Sequence, residues 1–418
     1  MNAIILSIGD ELVLGQTLDS NSAWLSARLA DRGIIPLYHK TIADDLEATV
    51  KALKLAVSET ELIIVTGGLG PTLDDLTRQA MAALIHKPLD FHPPSLDRMK
   101  AFFKLIGREM PASNRIQAHV PRGAEVLDND WGTAPGIKLK VDQTLIFALP
   151  GVPYEMEKMA ERYIFPLYVH GSGMEVVVEL LPTFGAGESA VADKLGELMR
   201  RDRNPLVGTT VSGGVVTIRI RSEAPTIALA KKNLGQTVTM VKNRLGSLIF
   251  GEGNQTLAGA VGQLMKVKST RMVTAESCTG GLVAKMLSDC PGASTWFEGG
   301  WVTYSNAMKG QELSVLASVI DRDGAVSEAV ACAMAEGALR HSTVDYAVAL
   351  TGIAGPDGGS EEKPVGTVWI AIGCRSGEQC VTKAECFRFP GNRESIRDRA
   401  AKTALNLLRL ELTKTAAC

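Results

Sequence analysis

The sequence has no surplus of charge of either sign. Its 418 residues include 44 Lys and Arg and 46 Asp and Glu, so the formal net charge is −2. Nucleic acids and acidic membranes attract proteins through a basic field, so this composition argues against generic binding to either. The sequence also lacks any stretch of about 18 uncharged apolar residues, the length that crosses a bilayer. Asp10 and Glu11 interrupt the apolar start, unlike a secretory signal. We therefore expect a cytoplasmic protein.

Cysteine and histidine are too few and too scattered for a metal or disulfide framework. The chain has seven cysteines, an odd number, without a Cys-x-x-Cys pair, and its six histidines are dispersed. Structural zinc sites need closely spaced ligands, and disulfide frameworks belong to oxidising compartments. The sequence therefore predicts reduced thiols and no histidine-based metal centre.

The chain length allows two or three domains at roughly 150 residues each. Short apolar runs alternate with amphipathic stretches in the first and last parts, a pattern typical of α/β domains with parallel sheets. The middle part has the texture of a small α+β unit, and Gly251-Glu252-Gly253-Asn254 resembles a linker. We predict domains over residues 1–168, 169–250 and 255–418.

Two glycine-and-acid corners follow predicted strands in the first domain. Ligands of parallel sheets bind at such corners, where glycines let backbone N–H groups approach a phosphate and carboxylates can hold Mg²⁺. Equally, Asp74-Asp75 could simply open a helix towards His86, so the residues alone leave both interpretations open. The candidate phosphate and metal residues are Asp10, Glu11, Gly67, Gly68, Gly70, Asp74 and Asp75.

A sharper cluster lies in the last domain, where Glu276 to Gly281 (ESCTGG) joins a predicted strand to a helix. Such a corner exposes a hydroxyl or thiol, here Ser277 or Cys278, beside free N–H donors, which suits a nucleophile next to an oxyanion site. No histidine is placed to act as base. Lys309, just after a predicted strand Trp301–Tyr304, could serve if it is partly desolvated and neutral. A helix-capping serine and a surface lysine would explain the same residues.

Two further features could complete a binding site. The corner beginning Thr351-Gly352 also follows a predicted strand. Arg393 and Arg397 lie four residues apart at the start of the closing helix, where they could clamp a phosphate or simply face solvent.

Long motifs in a fixed order make the chain resemble the CinA (competence/damage-inducible protein A) family almost from end to end. The first domain resembles the molybdopterin-binding-type domain of molybdenum-cofactor biosynthesis proteins, the middle a KH-like domain, and the last a nicotinamide-mononucleotide deamidase domain. The motifs are Gly9-Asp10-Glu11, Thr66 to Asp75, NDWGTAPG from Asn129, PGVP from Pro150, TAESCTGG from Thr274, TGIAGPDGG from Thr351, and Gly391 to Arg393.

For the last domain, the resemblance implies hydrolysis of nicotinamide mononucleotide to nicotinate mononucleotide and ammonia without a cofactor. Ser277 matches the family nucleophile, and Lys309 and Tyr304 match the residues that activate it. Cys278, as a thiol, remains a competing nucleophile. The expected substrate-binding residues are Cys278, Thr279, Gly280, Gly281, Ser294, Thr351, Gly352 and Arg393.

For the first domain, the resemblance implies an ADP-ribose pyrophosphatase that depends on a divalent metal such as Mg²⁺, with ligands among Asp10, Glu11, Asp74 and Asp75. The expected partners are small nucleotides and a second copy of the chain in a homodimer, without nucleic acid or membrane. The KH-like segment lacks the GxxG loop that clamps nucleic-acid backbones. A non-enzymatic scaffold in DNA uptake or damage response is the alternative function.

Overall fold

The computed structural model describes residues 1–168, 174–377 and 379–414. The chain forms two compact units, Met1–Val177 with Glu223–Lys232, and Val178–Ser222 with Asn233–Cys418. Within the described ranges no helix combines the length and apolar character needed to cross a membrane.

The first unit alternates strands and helices, with short 3₁₀ turns at Ala112–Ala118 and Phe165–Tyr168. Its elements are β1 (Asn2–Ile8), α1 (Asp10–Val13), α2 (Ser20–Ala30), β2 (Ile35–Ile42), α3 (Leu46–Glu59), β3 (Leu62–Thr66), α4 (Thr77–Leu84), β4 (Leu89–Phe91), α5 (Pro93–Leu105), β5 (His119–Pro121), β6 (Glu125–Leu127), β7 (Gly136–Val141), β8 (Thr144–Leu149) and α6 (Pro153–Tyr163).

The main sheet of this unit has the order β2-β1-β3-β8-β7-β6. The pairs among β1, β2, β3 and β8 are parallel, as predicted, whereas β6 and β7 add an antiparallel edge. Alternate residues of β1 pack into two cores, one shared with α3 and α4 and the other with α2 and α6. Both faces are therefore covered, which explains why these strands are continuous apolar runs.

One predicted helix begins later than expected. Asp74-Asp75 does not open it, because α4 starts at Thr77 and the two aspartates belong to the preceding loop. Elsewhere in this unit the Asp19 carboxylate caps α2 and the Asp45 carboxylate caps α3.

The middle segment has a small α+β fold, as predicted. Its three-stranded sheet has the order β10-β11-β9, and β10 and β11 pair antiparallel. Its elements are β9 (Glu175–Thr183), α7 (Glu188–Leu195), a 3₁₀ turn (Gly196–Met199), β10 (Leu206–Ser212), β11 (Val215–Ala224), α8 (Ile227–Leu245) and a 3₁₀ turn (Gly246–Leu248).

The last part of the chain is again α/β, with the sheet order β13-β12-β14-β15-β16. Strands β13, β12 and β14 are parallel, and β15 and β16 continue antiparallel. Its elements are α9 (Leu257–Lys268), β12 (Met272–Glu276), α10 (Leu282–Ser288), a 3₁₀ turn (Ala293–Thr295), β13 (Phe297–Val302), α11 (Asn306–Leu313), α12 (Ala317–Asp323), α13 (Glu328–Arg340), β14 (Tyr346–Gly352), β15 (Thr367–Ser376), β16 (Gln379–Arg388) and α14 (Arg393–Thr413).

Two cores cover the two faces of this sheet. Helices α9, α10 and α14 pack on one face and α11, α12 and α13 on the other. The apolar stripe of α14, which contains Ile396, Ala400, Ala404 and Leu408, is buried. The strand predicted at Trp301–Tyr304 is displaced, because β13 ends at Val302 and leaves Tyr304 in the loop that leads to α11.

The cysteines largely follow the prediction of reduced thiols. Cys278, Cys290, Cys332, Cys380 and Cys386 are free. Cys374 departs from it, because it is disulfide-bonded.

The close packing of α13 against α11 gives a test of the core. A β-carbon at Gly337, within α13, would collide with the carbonyl oxygen of Leu313. We expect Gly337→Ala to lower the free energy of unfolding by about 1–3 kcal/mol through overpacking. Gly235 in α8 is a matched control, because a β-carbon there meets no atom within 4 Å. Gly235→Ala should instead stabilise the protein by up to about 1 kcal/mol through helix propensity. Calorimetric melting of both variants checks this, and equal melting temperatures would contradict it.

Candidate active site

Ser277 lies in a turn fixed between three parallel strands. It directly follows β12, and its backbone N–H donates to the carbonyl oxygen of Leu350 on β14 at 3.0 Å. The preceding carbonyl, of Glu276, accepts from the N–H of Thr303 at 2.8 Å. The start of the turn is thus held on both sides at the carboxyl edge of the sheet, where ligands of α/β proteins bind.

Lys309 reaches Ser277 from α11, whose first turn is capped by the Ser305 hydroxyl. The Lys309 Nζ atom lies 3.1 Å from Ser277 Oγ, 3.0 Å from the carbonyl oxygen of Thr303 and 3.3 Å from that of Tyr304. The lysine is only 1% exposed. Burial lowers its pKa, because the protein interior solvates an ammonium less well than water does. The structure therefore brings together the predicted serine and lysine.

Cys278, the competing nucleophile, is in a less favourable state. Burial raises the pKa of its thiol to about 11, against the opposing charges of Lys309 and Arg397. A thiol with that pKa is almost entirely protonated near neutral pH and is a poor nucleophile. The hydrogen bond from Lys309 goes to the neighbouring hydroxyl instead.

A cavity of about 270 Å³ opens in front of these residues. Of the predicted site residues it brings together Ser277, Cys278, Tyr304, Lys309, Thr351, Gly352 and Arg393. The remaining residues that line the cavity received no role from the sequence, although most of them lie within the quoted motifs. These residues are Asn306, Ala325, Val326, Ile353, Ala354, Gly355, Asp357 and Gly358.

Tyr304 and Arg393 meet at this cavity through their side chains. The Arg393 guanidinium donates to the phenolic oxygen of Tyr304 and to the carbonyl oxygen of Gly355, both at 2.7 Å. Tyr304 is 58% exposed. Its contact with Lys309 is made by the backbone carbonyl, so the phenol is not the group that touches the amine. On a neighbouring wall, the Thr351 hydroxyl donates to the carbonyl oxygen of Ala325 at 2.7 Å.

Four other predicted binding residues lie outside this cavity lining. Thr279, Gly280 and Gly281 form the turn behind it. The N–H of Gly280 donates to the carbonyl of Ser277 at 3.0 Å, so it is already engaged. Gly281 has φ +90°, a conformation that favours glycine at the start of α10. Ser294 lies in a separate surface depression beside Phe297.

A larger cleft of about 1090 Å³ is also present in the second unit. Its charged side chains include the ion pairs Lys285–Asp289 at 2.6 Å and Lys402–Asp398 at 2.8 Å. It contains neither Ser277 nor Lys309. The smaller cavity, whose lining contains the hydrogen-bonded pair Ser277 and Lys309, is therefore the candidate active site.

The glycine corner that follows β3 lies against the end of β1 and is bonded to a side chain of α4. Gly67 has φ +98°, and a β-carbon there would collide with the carbonyl oxygen of Ile8 at the end of the neighbouring β1. The buried guanidinium of Arg78 donates to the carbonyls of Leu69 and Gly70 at 2.5 and 2.9 Å. The two corners thus meet at the same edge of the sheet, as expected.

The predicted carboxylates of this corner have divided roles. Asp75 accepts from the N–H of Gly70 at 2.7 Å and from the N–H and hydroxyl of Thr72, so it closes the loop. Asp10 and Asp44 exchange backbone-to-carboxylate hydrogen bonds at 2.9 and 3.1 Å. Burial raises the pKa of Asp44, and the charges of Asp10, Asp74 and Glu11 add to this rise.

These carboxylates do not fit a metal held by three or more side chains. Over the described ranges of the chain, no group of three His, Cys, Asp or Glu is arranged to hold a metal ion. Asp75 uses both of its oxygens within the loop.

Family comparisons cover nearly the whole chain. Consecutive stretches match a probable molybdopterin binding domain (residues 4–170), the damage-inducible protein CinA KH domain (179–251) and the CinA C-terminal domain (254–412). A CinA-like protein of Dictyoglomus thermophilum is 40% identical over 409 residues, 98% of each chain. A putative competence-damage inducible protein of Symbiobacterium thermophilum is 41% identical over 419 residues, with the same coverage. A solved competence/damage inducible protein of Agrobacterium tumefaciens is 40% identical and covers 38% of this chain and 94% of its own, with a TM-score of 0.36.

The lowered pKa of Lys309 predicts a pH-dependent effect on stability. The unfolded lysine titrates near 10.5 and the folded one lower, so the unfolded state binds more protons between these values and stability rises with pH there. Lys309→Met removes this dependence. We expect the melting temperature of the variant, relative to wild type, to be most favourable near about pH 7 and to decline towards about pH 10.

Melting curves across that pH range check this expectation. Lys268→Met, which removes an exposed lysine at the end of α9, provides the control. A difference in melting temperature between Lys309→Met and wild type that does not change with pH would contradict the lowered pKa of Lys309.

Proposed function

The chain belongs to the CinA family, and from that membership and the geometry of its site we propose that it hydrolyses the carboxamide of nicotinamide mononucleotide. The products are nicotinate mononucleotide and ammonia. Ser277 is the nucleophile and Lys309 its base.

The observation that supports this proposal most directly is the arrangement of three hydrogen-bond partners around Lys309 Nζ. A neutral amine has two N–H bonds and one lone pair. Two backbone carbonyls, of Thr303 and Tyr304, can take the two N–H bonds, which leaves the lone pair facing Ser277 Oγ at 3.1 Å. Because burial lowers the pKa of the lysine, the neutral form is accessible at a lower pH than for a lysine in water. A base within hydrogen-bond reach of the proton it removes is the first requirement of general base catalysis.

The reaction follows from this contact in balanced steps. Lys309 takes the proton of Ser277, and the serine oxygen bonds to the carboxamide carbon. The resulting ammonium of Lys309 returns its proton to the leaving nitrogen as the C–N bond breaks, which releases ammonia and an acyl-enzyme. Water then attacks the ester, again losing a proton to Lys309, and that proton goes to the serine oxygen as the C–O bond breaks. The product leaves as the carboxylic acid, which releases its remaining proton to solvent to give nicotinate mononucleotide.

The charged residues of the cavity suit a nucleotide with a cationic ring. Two of the Arg393 N–H groups are used within the protein, and the remaining ones are available for a phosphate. Asp357 adds a carboxylate to the same lining, which complements a pyridinium ring. Side chains of the protein supply both proton transfers, so we expect turnover to continue in the presence of a chelator.

Separate alanine variants of the adjacent residues test the nucleophile. We expect Ser277→Ala to reduce kcat by about 10³-fold or more, because the acyl-enzyme cannot form. Cys278→Ala should retain kcat within about threefold, because its thiol is protonated and is not bonded to Lys309. The measurement is chromatographic detection of nicotinate mononucleotide, with and without chelator. An active Ser277→Ala beside an inactive Cys278→Ala would reverse the assignment. No product from the wild-type protein would overturn the proposed function and favour a scaffold role.

The pH dependence of kcat/KM tests the base. The neutral lysine is the active form, so kcat/KM should rise with pH and level off above an apparent pKa below 10.5, the ordinary lysine value. Lys309→Arg keeps the positive charge but cannot lose it in this range, so we expect it to be inactive at every pH. A profile that is flat with pH, or an active Lys309→Arg variant, would contradict the role of Lys309.

A further inference from the structure

Glu276, the residue just before Ser277, is bonded to the helix that follows the turn. Its carboxylate is completely buried and accepts from the N–H groups of Val283 at 3.1 Å and Ala284 at 2.8 Å. These N–H groups belong to the first turn of α10, where backbone donors have no partner within the helix. The end of β12 and the start of α10 are therefore joined across the turn by a side chain.

Arg397 holds the same turn from a second direction. Its Nη2 atom donates to the carbonyl oxygen of Thr279 at 2.6 Å and lies 3.4 Å from the position of a β-carbon at Gly280. Arg397 projects from α14, which is fixed in the core by Ile396 and Ala400 on either side of it in the sequence. The turn is thus fastened to a helix that is distant in the sequence.

The two arginines of α14 therefore do not form one phosphate clamp. Arg393 contacts the cavity through Gly355 and Tyr304. Arg397, one helical turn later, donates its hydrogen bond to the backbone carbonyl of Thr279, in the turn that follows Ser277. The four-residue spacing placed both on one stretch of helix, but the two side chains reach different backbone segments.

We infer that Glu276 and Arg397 are positioning residues that clamp the turn Ser277–Gly281 so that the serine hydroxyl stays within hydrogen-bond distance of Lys309. This rests on the proposed function. Each contact is charge-assisted, and such hydrogen bonds are roughly twice as strong as neutral ones. The clamp matters for the reaction because a misplacement of about 1 Å can cost about 10²-fold in rate. Neither residue lines the cavity, so we expect both to act on the reaction through the turn.

Arg397 variants test the clamp through the split between kcat and KM. We expect Arg397→Met to lower kcat for nicotinamide mononucleotide by about 10- to 100-fold with KM within about threefold of wild type. Arg397→Lys keeps a charged donor. On a logarithmic scale, its kcat should recover at least half of the difference between Arg397→Met and wild type. Arg399→Met, which removes an exposed arginine two residues away on α14, is the matched control and should retain wild-type kcat.

Glu276→Gln tests the contact between Glu276 and the first turn of α10, by amide hydrogen exchange in the full-length protein. The amide side chain keeps one acceptor oxygen and places an N–H₂ group where the second oxygen was, so one helix donor loses its partner. We expect whichever of the Val283 and Ala284 amides loses its partner to exchange at least tenfold faster, with kcat lowered in parallel. The same amides should exchange at wild-type rates in Arg399→Met.

These readouts separate the clamp from the proposed function. A wild-type protein that produces no nicotinate mononucleotide would refute the proposed reaction, while the exchange rates would still decide whether the turn is clamped. Wild-type kcat in Arg397→Met would overturn the positioning role. Loss of kcat in Arg397→Met without any recovery in Arg397→Lys would do so as well. Unchanged exchange in Glu276→Gln would overturn the Glu276 contact.

Discussion

The hydrogen bond between Lys309 and Ser277 is the interaction on which the candidate site depends. A lysine that is 1% exposed is costly to keep charged, and this one has only neutral partners: two carbonyls and one hydroxyl. A carboxylate in contact with Nζ would have held the ammonium in its charged form. Among the described residues no carboxylate hydrogen-bonds to it, so burial lowers the pKa of the lysine, and the group best placed to use its free base form is the serine hydroxyl. The same burial keeps the adjacent thiol protonated. The same desolvation thus lowers the pKa of the lysine and raises that of the thiol, and both shifts support the proposal that Ser277 is the nucleophile.

The parallel sheet makes this arrangement possible. Ser277 and the Thr303-Tyr304 carbonyls follow adjacent strands, β12 and β13, so the topology brings them to one edge. Thr351 ends the strand on the other side of β12, and its corner supplies much of the cavity wall. The cores on both faces keep these strand ends in place. The N-terminal domain uses the same principle, since its two glycine corners follow the adjacent strands β1 and β3. There the carboxylates of Asp10 and Asp75 accept hydrogen bonds from backbone N–H groups of the loops.

Motif recognition from the sequence was most successful where the functional groups lie on consecutive residues. The TAESCTGG and TGIAGPDGG segments both contribute to the cavity, and Arg393 reaches it. The sequence was less informative where a side chain acts through a distant backbone atom. Arg397 was paired with Arg393 by helical spacing, yet its partner is the carbonyl of Thr279, more than a hundred residues earlier. Tyr304 was expected to assist Lys309, and only its backbone carbonyl touches the amine. Asp75 was proposed as a metal ligand, and the sequence did not indicate that its oxygens also accept hydrogen bonds from the N–H groups of Gly70 and Thr72.

The order of strands and helices, the capping residues Asp19 and Asp45, and the buried stripe of α14 follow from the sequence alone, because periodicity and capping are local properties. So does the choice of Ser277, Cys278 and Lys309 as the residues to consider. Only the tertiary structure gives a reason to propose the serine rather than the thiol. That reason is the burial of Lys309, the two carbonyls that accept from its amine, and the distance of 3.1 Å from its Nζ atom to the serine oxygen. Desolvation and hydrogen-bond direction arise from residues brought together by folding, and no local pattern in the chain encodes them.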